Sequence, residues 1–298
     1  MTIVLPKNYH AKTALEKRRI LCVDQEEAVR KDIRPLRIGI LNIMPKAETY
    51  EYSLLFPLGR RLIQIIPVWI RLQNHKYHSS DKSHIDSLYV SFEEAVSKKH
   101  LDGLIISGAP VEDIDFEDIT YWDEVRDIMS YARDNIASTL GVCWGGLALS
   151  KFLGIEKVAY EKKLFGVFEL ENIDRGHRIT GELDDIFWCP LSSHSGIPPQ
   201  ALEEAAKKGD INLLAKTVDN GDYIIYESSD NRFIIHLGHP EYEAERLVEE
   251  YRRDKEKGRD DVSPPVNVNL DKPLNRWRSH CLEFYSQWIK YVYETTPF

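Results

Sequence analysis

The chain has 298 residues, enough to bury one large core or a core with a small appendage. Its formal net charge of -9 and the lack of a basic stripe with interleaved aromatics exclude a nucleic-acid footprint. No apolar run approaches the roughly 20 residues that span a bilayer, no apolar leader follows Met1, and Cys22, Cys143, Cys189 and Cys281 form neither C-x-x-C pairs nor a disulfide framework, so a cytoplasmic enzyme in a reducing compartment is expected.

Residues 1–35 are polar and mixed, with one amphipathic piece over 11–27 closed by Pro35, and read as an arm around the core or a neighbouring subunit. Residues 36–298 read as a single α/β domain. Arg18-Arg19 and Arg252-Arg253 are flanked by acidic residues and read as solvated helix faces rather than phosphate tracks. The run 36–43 is nearly continuous in apolar residues, as in a parallel sheet covered on both faces. A helix over 48–61 and a strand over 62–70 follow, and Pro67 places that strand at an edge or a bulge. The polar stretch 71–82 reads as a loop carrying His75 and His78, with His84 just beyond. No partner residues stand at ligand spacing, so solvated histidines and no metal site are expected.

A helix over 92–99 leads to a buried strand over 101–106, which runs into Ser107-Gly108-Ala109-Pro110. A helix over 120–135 feeds the strand that stops at Cys143, and a further helix covers 147–152. This alternation predicts a doubly wound, mostly parallel α/β sheet with right-handed crossovers. Beyond Gly154 the pattern is less regular: strands over 164–170 and 186–189, a hydroxyl-rich loop over 190–199, a hairpin pairing 223–226 with 232–237, and helices over 243–256 and 276–294.

The chain is organised around Gly141-Val142-Cys143-Trp144-Gly145. A G-x-C-x-G pattern between strand and helix is a nucleophile elbow with cysteine in the serine position. It presents a sulfur at a helix N-terminus, where unpaired N–H groups favour the thiolate. A cysteine nucleophile needs a base, and Gly238-His239-Pro240-Glu241 follows an apolar strand. Residues two apart in extended chain point the same way, so His239 can take the proton and Glu241 can orient its imidazole. His236 competes but reads as a core histidine. The N–H of Ala109 or Gly108, with that of Trp144, can form an oxyanion hole; the alternative is an ordinary strand-ending turn.

A cysteine followed much later by His-x-Glu on such a sheet resembles the class I glutamine amidotransferase fold and triad. The detail is closer to the homoserine O-acyltransferases of methionine biosynthesis, also called homoserine O-succinyltransferases. The resemblance runs in order through 41–45 (Leu-Asn-Ile-Met-Pro), Gly108-Ala109-Pro110 with Tyr121-Trp122, the cysteine elbow, 238–242 (Gly-His-Pro-Glu-Tyr), and the ending from Trp277-Arg278-Ser279-His280 to Thr296-Pro297.

That resemblance implies transfer of an acyl group through a Cys143 thioester, with His239 as general base and Glu241 as its partner. It implies that Lys163 and Ser192 contact substrate and that Arg253 holds the homoserine carboxylate, where a planar guanidinium suits bidentate pairing. Glu112, two residues after Gly-Ala-Pro, resembles the family's acyl-donor selector. A glutamate there would repel the succinyl carboxylate, so acetyl-CoA is the expected donor, succinyl-CoA the alternative, and L-homoserine the acceptor. Its plainer reading is the start of an acidic surface loop. No bound cofactor or metal is expected, and a homodimer is implied. An amidotransferase-type hydrolase and a non-enzymatic binding module are the competing readings.

Overall fold

The computed structural model describes residues 2–17, 20–29, 34–60 and 62–296. The Arg18-Arg19 pair, Arg61 and Pro297 lie outside the described residues. In chain order the first half comprises β1 (Thr2–Val4), α1 (Lys12–Lys17), β2 (Leu21–Val23), α2 (Gln25–Val29), β3 (Leu36–Leu41), α3 (Ala47–Leu58), β4 (Gln64–Ile70), α4 (Lys82–Leu88), α5 (Phe92–Lys98), β5 (Gly103–Ile106), α6 (Trp122–Asn135), β6 (Ser138–Val142) and α7 (Trp144–Phe152). The second half comprises β7 (Val158–Asn172), β8 (Ile186–Gly196), α8 (Pro199–Lys208), β9 (Ile211–Thr217), β10 (Tyr223–Ser228), β11 (Phe233–His236), α9 (Ala244–Glu256) and α10 (Arg278–Thr295).

The strands form one sheet in the order β2-β1-β4-β3-β5-β6-β11-β10-β9-β7-β8. Every pairing from β2 to β11 is parallel, and every pairing from β11 to β8 is antiparallel. The parallel half is the doubly wound sheet read from the sequence, and its central strands are buried except at Arg37 of β3, as in a sheet covered by helices on both faces. The chain moves from β3 outward to β4 and then back across to β5, so the order reverses there. Ligand crevices of open α/β sheets form at the carboxyl ends beside such a reversal. Helix α10 packs against α3, burying Phe284, Tyr285, Trp288 and Ile289.

Several expectations need correction. The described residues before Leu36 are built into the domain rather than lying on it: β1 pairs with Gln64 and Ile65 of β4, β2 extends the edge, and Ile3 and Leu15 belong to the main core. The amphipathic piece over 11–27 is broken into α1, β2 and part of α2. Strand β4 is interior by order, but its pairing with β1 ends at Ile65, so Pro67 needs no partner on that side and pairs only towards Ile38. The hydroxyl-rich segment 190–199 is mostly strand: β8 continues to Gly196, because β7 pairs with it along that length. Residues 199–217, given no element by sequence, form α8 and β9. Helix α8 starts with Pro199 at its first position and stops at Gly209 with φ 81°. His84 is not a solvated loop residue; it sits in α4, and its Nε2 lies 2.7 Å from a Glu51 carboxylate oxygen.

Candidate active site

Four loops at the carboxyl edge of the parallel half, after β3, β5, β6 and β11, converge on Cys143. The elbow itself is strained: Cys143 has φ 51° and ψ -114°, a conformation that costs about 1–3 kcal/mol for a residue with a side chain. Close approach explains the flanking glycines. A Cβ on Gly141 would stand 2.5 Å from the Gly145 carbonyl oxygen, and one on Gly145 would stand 2.2 Å from that of Ile106. The Cys143 N–H donates to the His236 carbonyl at 2.8 Å, which ties the elbow to β11. That contact carries the chain on to His239 beside the sulfur.

The His239 ring lies beside Cys143 in the cavity, and its Nδ1 lies 2.8 Å from Glu241 Oε1. All three side chains are buried. Burial alone would lower the His239 pKa, but the negative charge of Cys143, that of Glu241 and the two hydrogen bonds outweigh it, and the net shift is well upward. The structure therefore brings Cys143, His239 and Glu241 together in the order the sequence reading gave. Gly108 borders the pair closely: a Cβ there would come within 3.3 Å of His239 Cε1 and 3.6 Å of Cys143 Cβ. His236 is buried and accepts from the Gly238 N–H, and burial followed by the nearby His239 charge lowers it to about 3. It is a neutral core histidine.

Two supports of this arrangement escape sequence reading. The Tyr50 hydroxyl, on α3, donates to Glu241 Oε1 at 2.6 Å, while Glu241 Oε2 is buried without a partner among the described residues. The Tyr242 ring stacks on the His239 imidazole with centroids 4.0 Å apart and planes 16° from parallel. Trp144 begins α7, so its N–H has no helical acceptor, and Ala109 follows β5 in the turn over 107–110. Ala109 lines the cavity together with Cys143.

That cavity, of about 280 Å³, also takes in Glu112, Lys163, Ser192, His239, Tyr242, Glu250 and Arg253. Lys163 is not a solvated lysine: it is buried, with Nζ 2.8 Å from Asp254 Oδ2 and 3.8 Å from Glu250 Oε2. Ser192 Oγ donates to Glu250 Oε2 at 2.7 Å. Arg253 is half exposed and pairs with Asp254 at 2.8 Å. Glu112 faces the cavity rather than only opening a surface loop. Burial raises its pKa, against the lowering influence of its own backbone N–H, Lys163 and His239.

Glu250 is the main residue that sequence reading missed. Burial would raise it, but Lys163, Arg246 and His239, with the Ser192 hydrogen bond, hold it below the usual glutamate range. Its Oε1 accepts from the Tyr242 hydroxyl at 2.9 Å. A signal was present: Arg246, Glu250, Arg253 and Asp254 share one face of α9 at helical spacing, with Lys257 capping its end.

Comparison with known proteins decides the relationship. The family model for homoserine O-succinyltransferase matches residues 2–298. The chain belongs to the homoserine O-succinyltransferase family. Curated relatives of this family include the homoserine O-acetyltransferase of Petrotoga mobilis, 38% identical over 305 residues, covering 100% of this chain and 97% of that protein. The homoserine O-acetyltransferase of Bacillus subtilis is 34% identical over 303 residues, covering 100% of this chain and 99% of that protein. Solved glutamine amidotransferases share the fold. That of Methylobacillus flagellatus superposes with a TM-score of 0.57 at 15% identity over 87% of this chain and 96% of its own. That of Thermotoga maritima gives 0.57 at 12% over 87% and 99%. Among the described residues no helix is long and apolar enough to cross a membrane.

Proposed function

We propose that this chain is a homoserine O-acetyltransferase, which moves acetyl from acetyl-CoA to the hydroxyl of L-homoserine in methionine biosynthesis. The observation that carries the reading is the buried Cys143–His239–Glu241 relay opening into a cavity with opposite charges placed for an amino acid. Full-length relatives named homoserine O-acetyltransferase support it.

The reaction is a double displacement. The Cys143 thiolate attacks the acetyl-CoA carbonyl, and the N–H groups of Trp144 and Ala109 hold the oxyanion. Collapse expels the CoA sulfur, which takes the proton of the His239 imidazolium. Neutral His239 then accepts the proton of the homoserine hydroxyl as its oxygen attacks the thioester. The second collapse releases O-acetyl-L-homoserine and restores thiolate and imidazolium. Arg253 and Lys163 face the homoserine carboxylate, Glu250 faces the ammonium, and Ser192 holds Glu250 in place.

Donor choice rests on Glu112. A succinyl carboxylate next to this glutamate would meet a like charge in a partly dry site, whereas acetyl carries none. CoA release with homoserine and each acyl-CoA tests the whole reading. Turnover with acetyl-CoA well above succinyl-CoA is expected; turnover with succinyl-CoA alone would replace acetyl by succinyl, and glutamine hydrolysis without CoA release would refute acyl transfer.

A further inference from the structure

We propose that His10, Glu51 and His84 form a site for a divalent d-block cation of the zinc type, which ties the N-terminal segment to α3 and α4. These residues lie outside the acyl-transfer cavity, and the proposal is independent of the function assigned above. Glu51, on α3, is fully buried. Its Oε1 accepts from the Tyr89 hydroxyl at 2.9 Å and lies 2.7 Å from His84 Nε2; its Oε2 accepts from the Tyr9 hydroxyl at 2.5 Å and lies 3.6 Å from His10 Nε2.

Charge makes this cluster unusual. Among the described residues the ion-pair partners of Glu51 are these two imidazoles, with no lysine or arginine. A buried carboxylate needs a compensating positive partner, and a bound cation can supply it. The ligand set favours the cation. Two histidines and a carboxylate are zinc ligands, and their donor atoms all lie within 4.8 Å of one another. The tyrosines supply what carboxylate ligands usually have around them. Both hydroxyls donate to the Glu51 carboxylate, one to each oxygen, and fix its orientation. The site is reachable from solvent, because the His10 side chain is 38% exposed.

The test uses the full chain, freed of metal by dialysis against chelator and titrated with Zn²⁺ in competition with a chromophoric chelator, and in parallel with Co²⁺ followed by visible absorption. One tightly bound cation per chain is expected, with a tetrahedral Co²⁺ spectrum lacking a thiolate charge-transfer band, and with unchanged binding in Cys143→Ala. Affinity should fall by about tenfold to a hundredfold or more in His84→Ala and in His10→Ala, the latter at an exposed position whose loss leaves the core intact. Absence of stoichiometric binding overturns the proposal. So does binding that survives His84→Ala but is lost in Cys143→Ala, since the cation would then sit on the active-site thiolate.

Discussion

Tyr50 and His239 meet on the same atom: the tyrosine hydroxyl at 2.6 Å and the imidazole Nδ1 at 2.8 Å both reach Glu241 Oε1. Glu241 Oε2 has no partner among the described residues, so Tyr50 is what fixes which way the carboxylate faces. Tyr50→Phe removes a hydrogen bond to a charged group while keeping the ring. We expect kcat to fall by about tenfold, with little change in the homoserine KM or in circular dichroism. A variant as fast as the parent would show that His239 and the surrounding packing orient Glu241 unaided.

The charge on His239 depends on whether Cys143 is free. After burial, which lowers it, the largest influence on His239 is the negative charge of Cys143, and acylation removes that charge. His239 should therefore release its proton more readily in the acyl-enzyme, as a base for the homoserine hydroxyl requires. Cys143→Ala imitates the loss. Imidazole titration by NMR is expected to show His239 titrating lower in Cys143→Ala than in the parent, and equal values would refute the coupling. The sign for stability follows: a raised histidine stabilises the fold below its ordinary value of about 6.5, and that contribution is lost as pH rises through the folded value. In Cys143→Ala that contribution is smaller and its loss is complete at lower pH.

Glu250 separates acceptor binding from donor chemistry. Replacement by glutamine leaves one of the Ser192 and Tyr242 hydroxyls its acceptor, turns the other to accept from the new amide N–H, and removes the charge proposed to face the homoserine ammonium. The expected outcome is a homoserine KM raised by about tenfold or more, with the rate of CoA release in the acylation half-reaction within about twofold of the parent. Because Glu250 is held below the usual glutamate range, its charge and its contribution to the fold persist above about 4.5 and are lost only as pH falls through its lowered folded value. The homoserine KM should accordingly stay flat between neutral pH and about pH 5 as far as Glu250 is concerned. A large loss of acylation rate in the variant would instead assign Glu250 to the chemistry at Cys143.

Glu112→Gly tests the donor. Steady-state rates with acetyl-CoA and succinyl-CoA should show the ratio moving towards succinyl by about a hundredfold. An unchanged ratio would mean that Glu112 does not select the donor.

The parallel half of the fold was legible because strands buried on both faces read as unbroken apolar runs, and the elbow because only glycine fits at 141 and 145. The antiparallel half was harder. Ser192, Ser193 and Ser195 make β8 look like a loop, yet their hydroxyls are satisfied by Glu250, the Ser195 carbonyl and the Glu112 carbonyl, partners that no local pattern announces. The N-terminal strands are three residues each, too short for periodicity to register. Tyr50 and Glu241 are 191 positions apart, and their contact depends on how α3 lies beside the loop after β11.

The join between the two halves of the sheet has an evolutionary meaning. The nucleophile, Ala109 and Glu112 hang from the parallel strands, whereas Lys163 and Ser192 stand on antiparallel ones and Arg253 and Glu250 on the helix that follows β11. With the roles proposed above, donor and acceptor are read by separate pieces of chain that meet at the thiol, its imidazole and the Ser195 hydroxyl on the Glu112 carbonyl. A lineage could exchange one acyl donor for another by altering the turn after β5 without relearning its amino acid, and a designer could do the same.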